Sequence, residues 1–243
     1  MPALYDTIGI DYAQLRRPDP RIAVQIERAL GAARTVLNVG AGTGSYEPAD
    51  RDVVALEPSA EMISQRLPGA APAAQGSAGA IPFPDQSFDA VMGVLTIHHW
   101  PDQQQGIREM CRVARERVVL LTFDPTARPW LTDYLPELAT LDEAAMPSLD
   151  TLSDWLGSVV IEPVLVPHDC SDGFLYAYWR RPAAYLDPRI RKGSSSFWKI
   201  EQAEAGLARL AEDLANGVWE QRYAALLAGD SYDAGYRLVI SLR

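Results

Sequence analysis

Residues 36–44 read Val-Leu-Asn-Val-Gly-Ala-Gly-Thr-Gly, and a second apolar run, Val53-Val54-Ala55-Leu56, ends in Glu57. An apolar strand runs into alternate glycines at Gly40, Gly42 and Gly44, and a neighbouring strand closes on a carboxylate. Backbone without Cβ lets a ligand approach the turn closely. A carboxylate at the tip of the adjacent strand accepts hydrogen bonds from ribose hydroxyls. The pairing implies a site for an adenosine-containing ligand.

The glycine spacing narrows the ligand. The dinucleotide fingerprint is Gly-x-Gly-x-x-Gly, with pyrophosphate on the following helix N-terminus. Here the spacing is Gly-x-Gly-x-Gly, and the segment after it, Ser45-Tyr46-Glu47-Pro48-Ala49-Asp50, carries two acids. Carboxylates there compete with a bound diphosphate. The loop suits a ligand without phosphates, such as S-adenosylmethionine. A nicotinamide dehydrogenase is the disfavoured rival.

Outward from this stretch, strands and helical patterns alternate, which predicts a parallel sheet covered on both faces. A helix is predicted over 20–32, strands over 35–39 and 53–56, and only a short helix between them. A helix over 59–66 takes Ser59 as its N-cap. Further strands are predicted at 70–75, 88–93, 117–123, 159–166 and 236–242, with a helix over 102–115. Two long connections, 125–157 and 169–233, are rich in aromatic residues. They are read, with residues 1–19, as a helical cap whose aromatic rings line a pocket for a mostly apolar molecule or form the cap's own core. The whole chain is read as one domain, its core about 20–124, 158–168 and 234–243.

Four segments in order resemble the class I S-adenosylmethionine-dependent methyltransferases of the small-molecule, ubiquinone-biosynthesis type. They are Val36–Gly44; Ala55-Leu56-Glu57-Pro58-Ser59 with Met62; Gly76-Ser77-Ala78 with Ile81-Pro82-Phe83 and Ser87-Phe88-Asp89-Ala90-Val91; and Leu95-Thr96-Ile97-His98-His99-Trp100 with Glu109-Met110-Cys111-Arg112-Val113. The resemblance implies an α/β, Rossmann-like, seven-stranded and mostly parallel sheet, its last strand antiparallel beside strand six. It implies S-adenosylmethionine as cofactor, S-adenosylhomocysteine as product, and methyl transfer to O, N or C of a small organic acceptor. A non-methylating enzyme or a binding protein that keeps the same site is the alternative.

The resemblance also assigns residues. Asn38, Gly40, Ala41, Gly42, Gly44, Glu57, Pro58, Met62, Ser77, Ala78, Val94 and Leu95 fall along the cofactor, with Glu57 on the ribose. From the N-terminal segment, Tyr12 faces the sulfonium and Arg17 pairs with the methionine carboxylate. His98 and His99 follow strand four at the ligand edge. One is a general base, with His98 preferred, or both hold the loop. Asp124 and His168 are further substrate candidates. The chain departs from the pattern at Asn38 and Ser77, where acids are usual, and at Arg115-Glu116, which replaces a glycine turn.

Bulk properties agree. The chain has 243 residues, 48% hydrophobic content and a net charge of −10. An acidic chain repels phosphate backbones, so nucleic acid is not an expected partner. Cys111 and Cys170 are the two cysteines, which gives no disulfide framework and no metal spacing. No apolar run reaches membrane-spanning length. The expectation is a cytoplasmic monomer or homodimer acting on a small molecule, without metal.

Overall fold

A computed structural model describes residues 16–243. Strands β1 (Thr35–Val39), β2 (Asp52–Glu57), β3 (Ala73–Gln75), β4 (Phe88–Val94), β5 (Ala114–Phe123), β6 (Val159–Pro163) and β7 (Tyr236–Leu242) form one sheet in the order 3-2-1-4-5-7-6. The first five pair in parallel, and β7 lies antiparallel between β5 and β6. The chain order reverses between β1 and β4, and ligands bind outside the carboxyl ends of strands at such a point.

Successive residues of a strand face opposite sides, and β1 shows the consequence. Val36 packs with Ile22, Ile26 and Leu30 of helix α1 (Pro20–Leu30). Its neighbour Leu37 packs with Ile107 and Met110 of helix α3 (Gln103–Val113) on the other face. Helix α1 starts cleanly because the Asp19 side chain accepts the Arg21 N–H and Pro20 occupies the first turn. Between them in sequence, helix α2 (Ala60–Ser64) is capped by Ser59, whose hydroxyl accepts the Met62 N–H at 3.1 Å.

Several expectations are corrected. No helix follows Gly44: residues 40–51 cross from β1 to β2 through turns alone. The strand expected over 159–166 ends at Pro163, and Val166-Pro167 pairs instead with Ser231-Tyr232 in a separate ribbon. Arg115 and Glu116 lie inside β5, where Arg115 pairs with Asp89 at 2.8 Å, so no turn stands there. The boundary drawn at 125–157 also moves. Helix α5 (Leu149–Leu156) follows helix α4 (Glu137–Ala145) and buries Leu152 and Leu156 beside α3 and Val239, so it covers the sheet rather than the ligand edge.

The remaining long segment folds over the α1 face. Trp130, Tyr134, Trp179, Tyr185 and Trp219 are buried, and Trp130 meets Trp219 edge-on with centroids 5.1 Å apart. Helix α6 (Ala203–Ala215) adds Leu207 and Leu210 to the same cluster. This cluster is continuous with Val119, Leu121 and Phe123 of β5, so cap and sheet share one core. Most cap aromatics therefore fill the core rather than line a pocket.

Candidate functional site

The loop after β1 is built around glycine. Gly40 has φ of 67°, and a Cβ there would stand 2.0 Å from Thr96 Oγ1. Gly42 has φ of 53° and turns its N–H onto Glu57 Oε2 at 2.8 Å. The other carboxylate oxygen, Oε1, accepts the Ser59 N–H at 2.9 Å. Glu57 is 5% exposed, so its charge is held by backbone donors in a buried place. An ionised carboxylate has about four lone-pair sites, so it can still accept from a ligand's hydroxyls.

Glu57 lines a cavity of about 550 Å³ at the carboxyl edge of the sheet. The same cavity collects Asn38, Gly40, Ala41, Gly42, Pro58, Met62, Ser77, Ala78, Val94, Leu95, His98 and His99. The loops after β1, β2, β3 and β4 thus converge as the sequence implied. Gly44 does not reach the cavity and instead sits beside Glu47 and Arg66. Arg17 is exposed, and Arg16 lines the cavity in its place. Tyr12 lies outside the described residues. Asp124 is occupied in its own turn, accepting the Thr126 N–H at 2.9 Å, and His168 Nδ1 lies 3.3 Å from the Asp230 carbonyl. Neither lines this cavity.

Sequence reasoning missed Arg16, Thr96 and Lys199. Arg16 binds Asp172 through Nε at 2.6 Å and Nη2 at 3.3 Å, and the Tyr46 hydroxyl donates to the same carboxylate at 2.8 Å. Asp172 is fully buried, so this network ties the segment before α1 to the cap. Nothing local in the sequence marks a pair separated by 156 positions.

The acids after Gly44 have another role than the one inferred. Glu47 pairs with Arg66 at 2.7 Å and accepts from Asn38 Nδ2 at 3.1 Å. Arg66 offsets the charge that was expected to repel a diphosphate, so the case against a dinucleotide rests on the glycine spacing and the absence of a helix. Asn38 Oδ1 is buried without a hydrogen-bond partner among the described residues. Such an acceptor beside the cavity matches an N–H donor on a ligand.

The two histidines stand with ring centroids 3.9 Å apart. Part of each side chain faces the cavity, while His98 Nδ1 is shielded and unpartnered among the described residues. Burial, then His99 as a neighbour, pushes His98 well below the ordinary histidine range. Burial, then Lys199 and Arg16, takes His99 down to about 4. Both rings are neutral at pH 7, as a base must be before it accepts a proton.

Behind His98 lies a smaller chamber of about 50 Å³. Arg16, Leu95 and His98 line both spaces, so the two adjoin. Leu95 holds φ of 50° at that junction, an uncommon conformation for a side-chain-bearing residue, and it is fixed by its N–H on the Leu121 carbonyl at 2.8 Å. The chamber's far wall comes from Phe123, Asp142, Phe174, Tyr176 and Tyr236. Among the described residues no cluster of His, Cys, Asp or Glu is arranged to hold a metal ion. No helix among them is long and apolar enough to cross a membrane.

Comparison with known proteins agrees with this geometry. A methyltransferase domain family matches residues 37–122. A putative methyltransferase from an antibiotic biosynthesis pathway of Anabaena variabilis is 37% identical with a TM-score of 0.87, covering 94% of this chain and 99% of that one. A demethylmenaquinone methyltransferase of Renibacterium salmoninarum is 32% identical over 163 residues, 54% of this chain and 68% of its own. The uncharacterized methyltransferase YcgJ of Bacillus subtilis is 27% identical over 137 residues, and the match spans only about half of each chain, 51% of this one and 54% of that one.

Proposed function

Because this chain belongs to the class I S-adenosylmethionine-dependent methyltransferases, we propose that it transfers a methyl group to a small, partly apolar organic acceptor. The observation that carries the reading is Glu57, buried at the tip of β2 with both oxygens aligned by the Gly42 and Ser59 N–H groups. The residues present fit the cofactor. Glu57 suits a ribose, Gly40 keeps the turn packed against Thr96 at the cavity edge, and Asn38 Oδ1 lacks a donor among the described residues. Pro58 and Met62 would flank the adenosine, and Ser77 with Ala78 the adenine. Arg16 supports the role first given to Arg17.

When bound, the cofactor supplies an electrophilic methyl carbon on a positively charged sulfur. The protein's part is alignment and water exclusion. Holding an acceptor in line supplies up to roughly 7–11 kcal/mol of the barrier. Leu95 and His98, between the two spaces, are placed to set that line. The acceptor occupies the smaller chamber, whose aromatic wall favours an apolar body. The Renibacterium relative is a demethylmenaquinone methyltransferase, which makes aromatic acceptors one class to test.

The test is product mass. Incubated with S-adenosylmethionine and candidate phenols, quinols and amines, the protein should yield acceptors heavier by one CH₂. A changed product of unaltered mass favours a non-methylating enzyme on the same site.

A further inference from the structure

The proposed methyl transfer does not use every buried ionisable group beside it. Asp142, on α4, is 6% exposed and lines the acceptor chamber together with His98. Its Oδ2 accepts the Tyr176 hydroxyl at 2.8 Å. That is its side-chain hydrogen bond among the described residues, and Oδ1 takes no part in it. Tyr176 is itself fixed, with its N–H on the Tyr236 hydroxyl at 3.3 Å and its ring 5.1 Å from Phe123. A buried carboxylate satisfied on one oxygen and open on the other, among aromatic walls, is stabilised by a donor on a ligand.

We propose that Asp142 is the residue that receives the acceptor's proton, with Tyr176 positioning it, and hence that the acceptor atom is an oxygen or nitrogen bearing hydrogen. This deepens the methyltransferase reading and rests on it. The O–H or N–H proton passes to Asp142 Oδ1. The electron pair released on that oxygen or nitrogen forms the bond to the methyl carbon, while the carbon–sulfur pair stays on sulfur. The carboxylic acid then returns its proton to water when product leaves.

Burial raises Asp142 to about 6, against the hydrogen bond from Tyr176 and the more distant charge of Arg128. Arg16, His98 and Ser194 to Ser196 also line the chamber, with Arg16 its cation and His98 neutral there. A base near 6 is ionised at pH 7 yet strong enough to take a proton. His98 then orients the acceptor rather than deprotonating it.

The experiment uses the full chain saturated with S-adenosylhomocysteine. Catechol and 2-phenylethylamine serve as O–H and N–H probes, in wild type, Asp142→Asn and Tyr176→Phe. Calorimetry should show at least one probe binding wild type and about tenfold weaker binding to Asp142→Asn. Carbon-13 NMR of aspartate carboxyls should show a titration near 6 that is lost in Asp142→Asn. In Tyr176→Phe it should move upward, because the phenol no longer stabilises the charged form. With a methylated probe, kcat of Asp142→Asn should fall by roughly 10²–10⁴. Equal probe binding in wild type and Asp142→Asn, or binding of neither probe to wild type, overturns the proposal while intact S-adenosylhomocysteine binding leaves the methyltransferase reading standing. Loss of S-adenosylhomocysteine binding from wild type overturns that reading itself.

Discussion

The two spaces of this molecule share Leu95 and His98 as a wall but are built in opposite ways. The larger one is made by short loops at the ends of consecutive strands. The capping serine acts three residues on, and the strand-tip carboxylate of Glu57 reaches Ser59 and the glycine turn of the adjacent strand. The smaller one is closed by α4, by Phe174 and Tyr176 in the cap, and by Tyr236 at the start of β7. Those groups come together only because the aromatic core of the cap is packed on β5. On the proposed reading, donor binding is a property of neighbouring strand-end loops, and acceptor binding a property of tertiary packing.

If this division holds, damage to one side should leave the other readable. The largest effect is expected in the cap. Trp219 is almost fully buried against Trp130 and Tyr223. Trp219→Ala should cost about 3–5 kcal/mol, measured by urea unfolding, while S-adenosylhomocysteine affinity changes little. Equal loss of both would mean that the regions are one unit.

Gly40→Ala attacks the other side. The new Cβ would sit 2.0 Å from Thr96 Oγ1 in a backbone with φ of 67°. The expected cost is about 2–3 kcal/mol, with S-adenosylhomocysteine binding abolished in calorimetry. Retained binding would show that the turn yields and that the glycine is not a requirement of the ligand.

A pH series isolates the acceptor side. The folded Asp142 lies near 6, above its ordinary value of 3.8, so the folded state holds that proton more tightly than the unfolded chain does. The resulting stability is complete below about 3.8 and is lost as pH rises through 6. At pH 7.5 wild type should trail Asp142→Asn by about 2–3 kcal/mol, and at pH 3.5 the difference should vanish. The lowered histidines act in the reverse sense, losing stability as pH falls below 6.5. They are common to both proteins and cancel in the difference.

The smallest effect is local. Ser59 caps α2 through its bond to the Met62 N–H. Ser59→Ala should cost about 1 kcal/mol by thermal unfolding, without disturbing the acceptor chamber.

This division also explains what could be read before the structure. The strands, the Ser59 cap and the Glu57 site follow from periodicity and short-range spacing. Asp142 was invisible because it sits among ordinary polar helix positions, and only its burial beside Tyr176 singles it out. Arg16 rather than Arg17 reaches the cavity because Asp172, fixed by Tyr46, captures its guanidinium from across the chain. The helix expected after Gly44 is absent, and the buried Glu47–Arg66 pair holds that segment. The aromatic run of the cap left lining and core open by composition, and the structure buries Trp130 against Trp219 in the core. Composition does not distinguish a wall from a core.

The most direct test of the account is calorimetric titration of wild type and Glu57→Ala with S-adenosylhomocysteine, and separately with NADH. The account predicts that wild type binds S-adenosylhomocysteine and not NADH, and that Glu57→Ala loses the binding while remaining folded. Binding of NADH, or undiminished S-adenosylhomocysteine binding by Glu57→Ala, would contradict it.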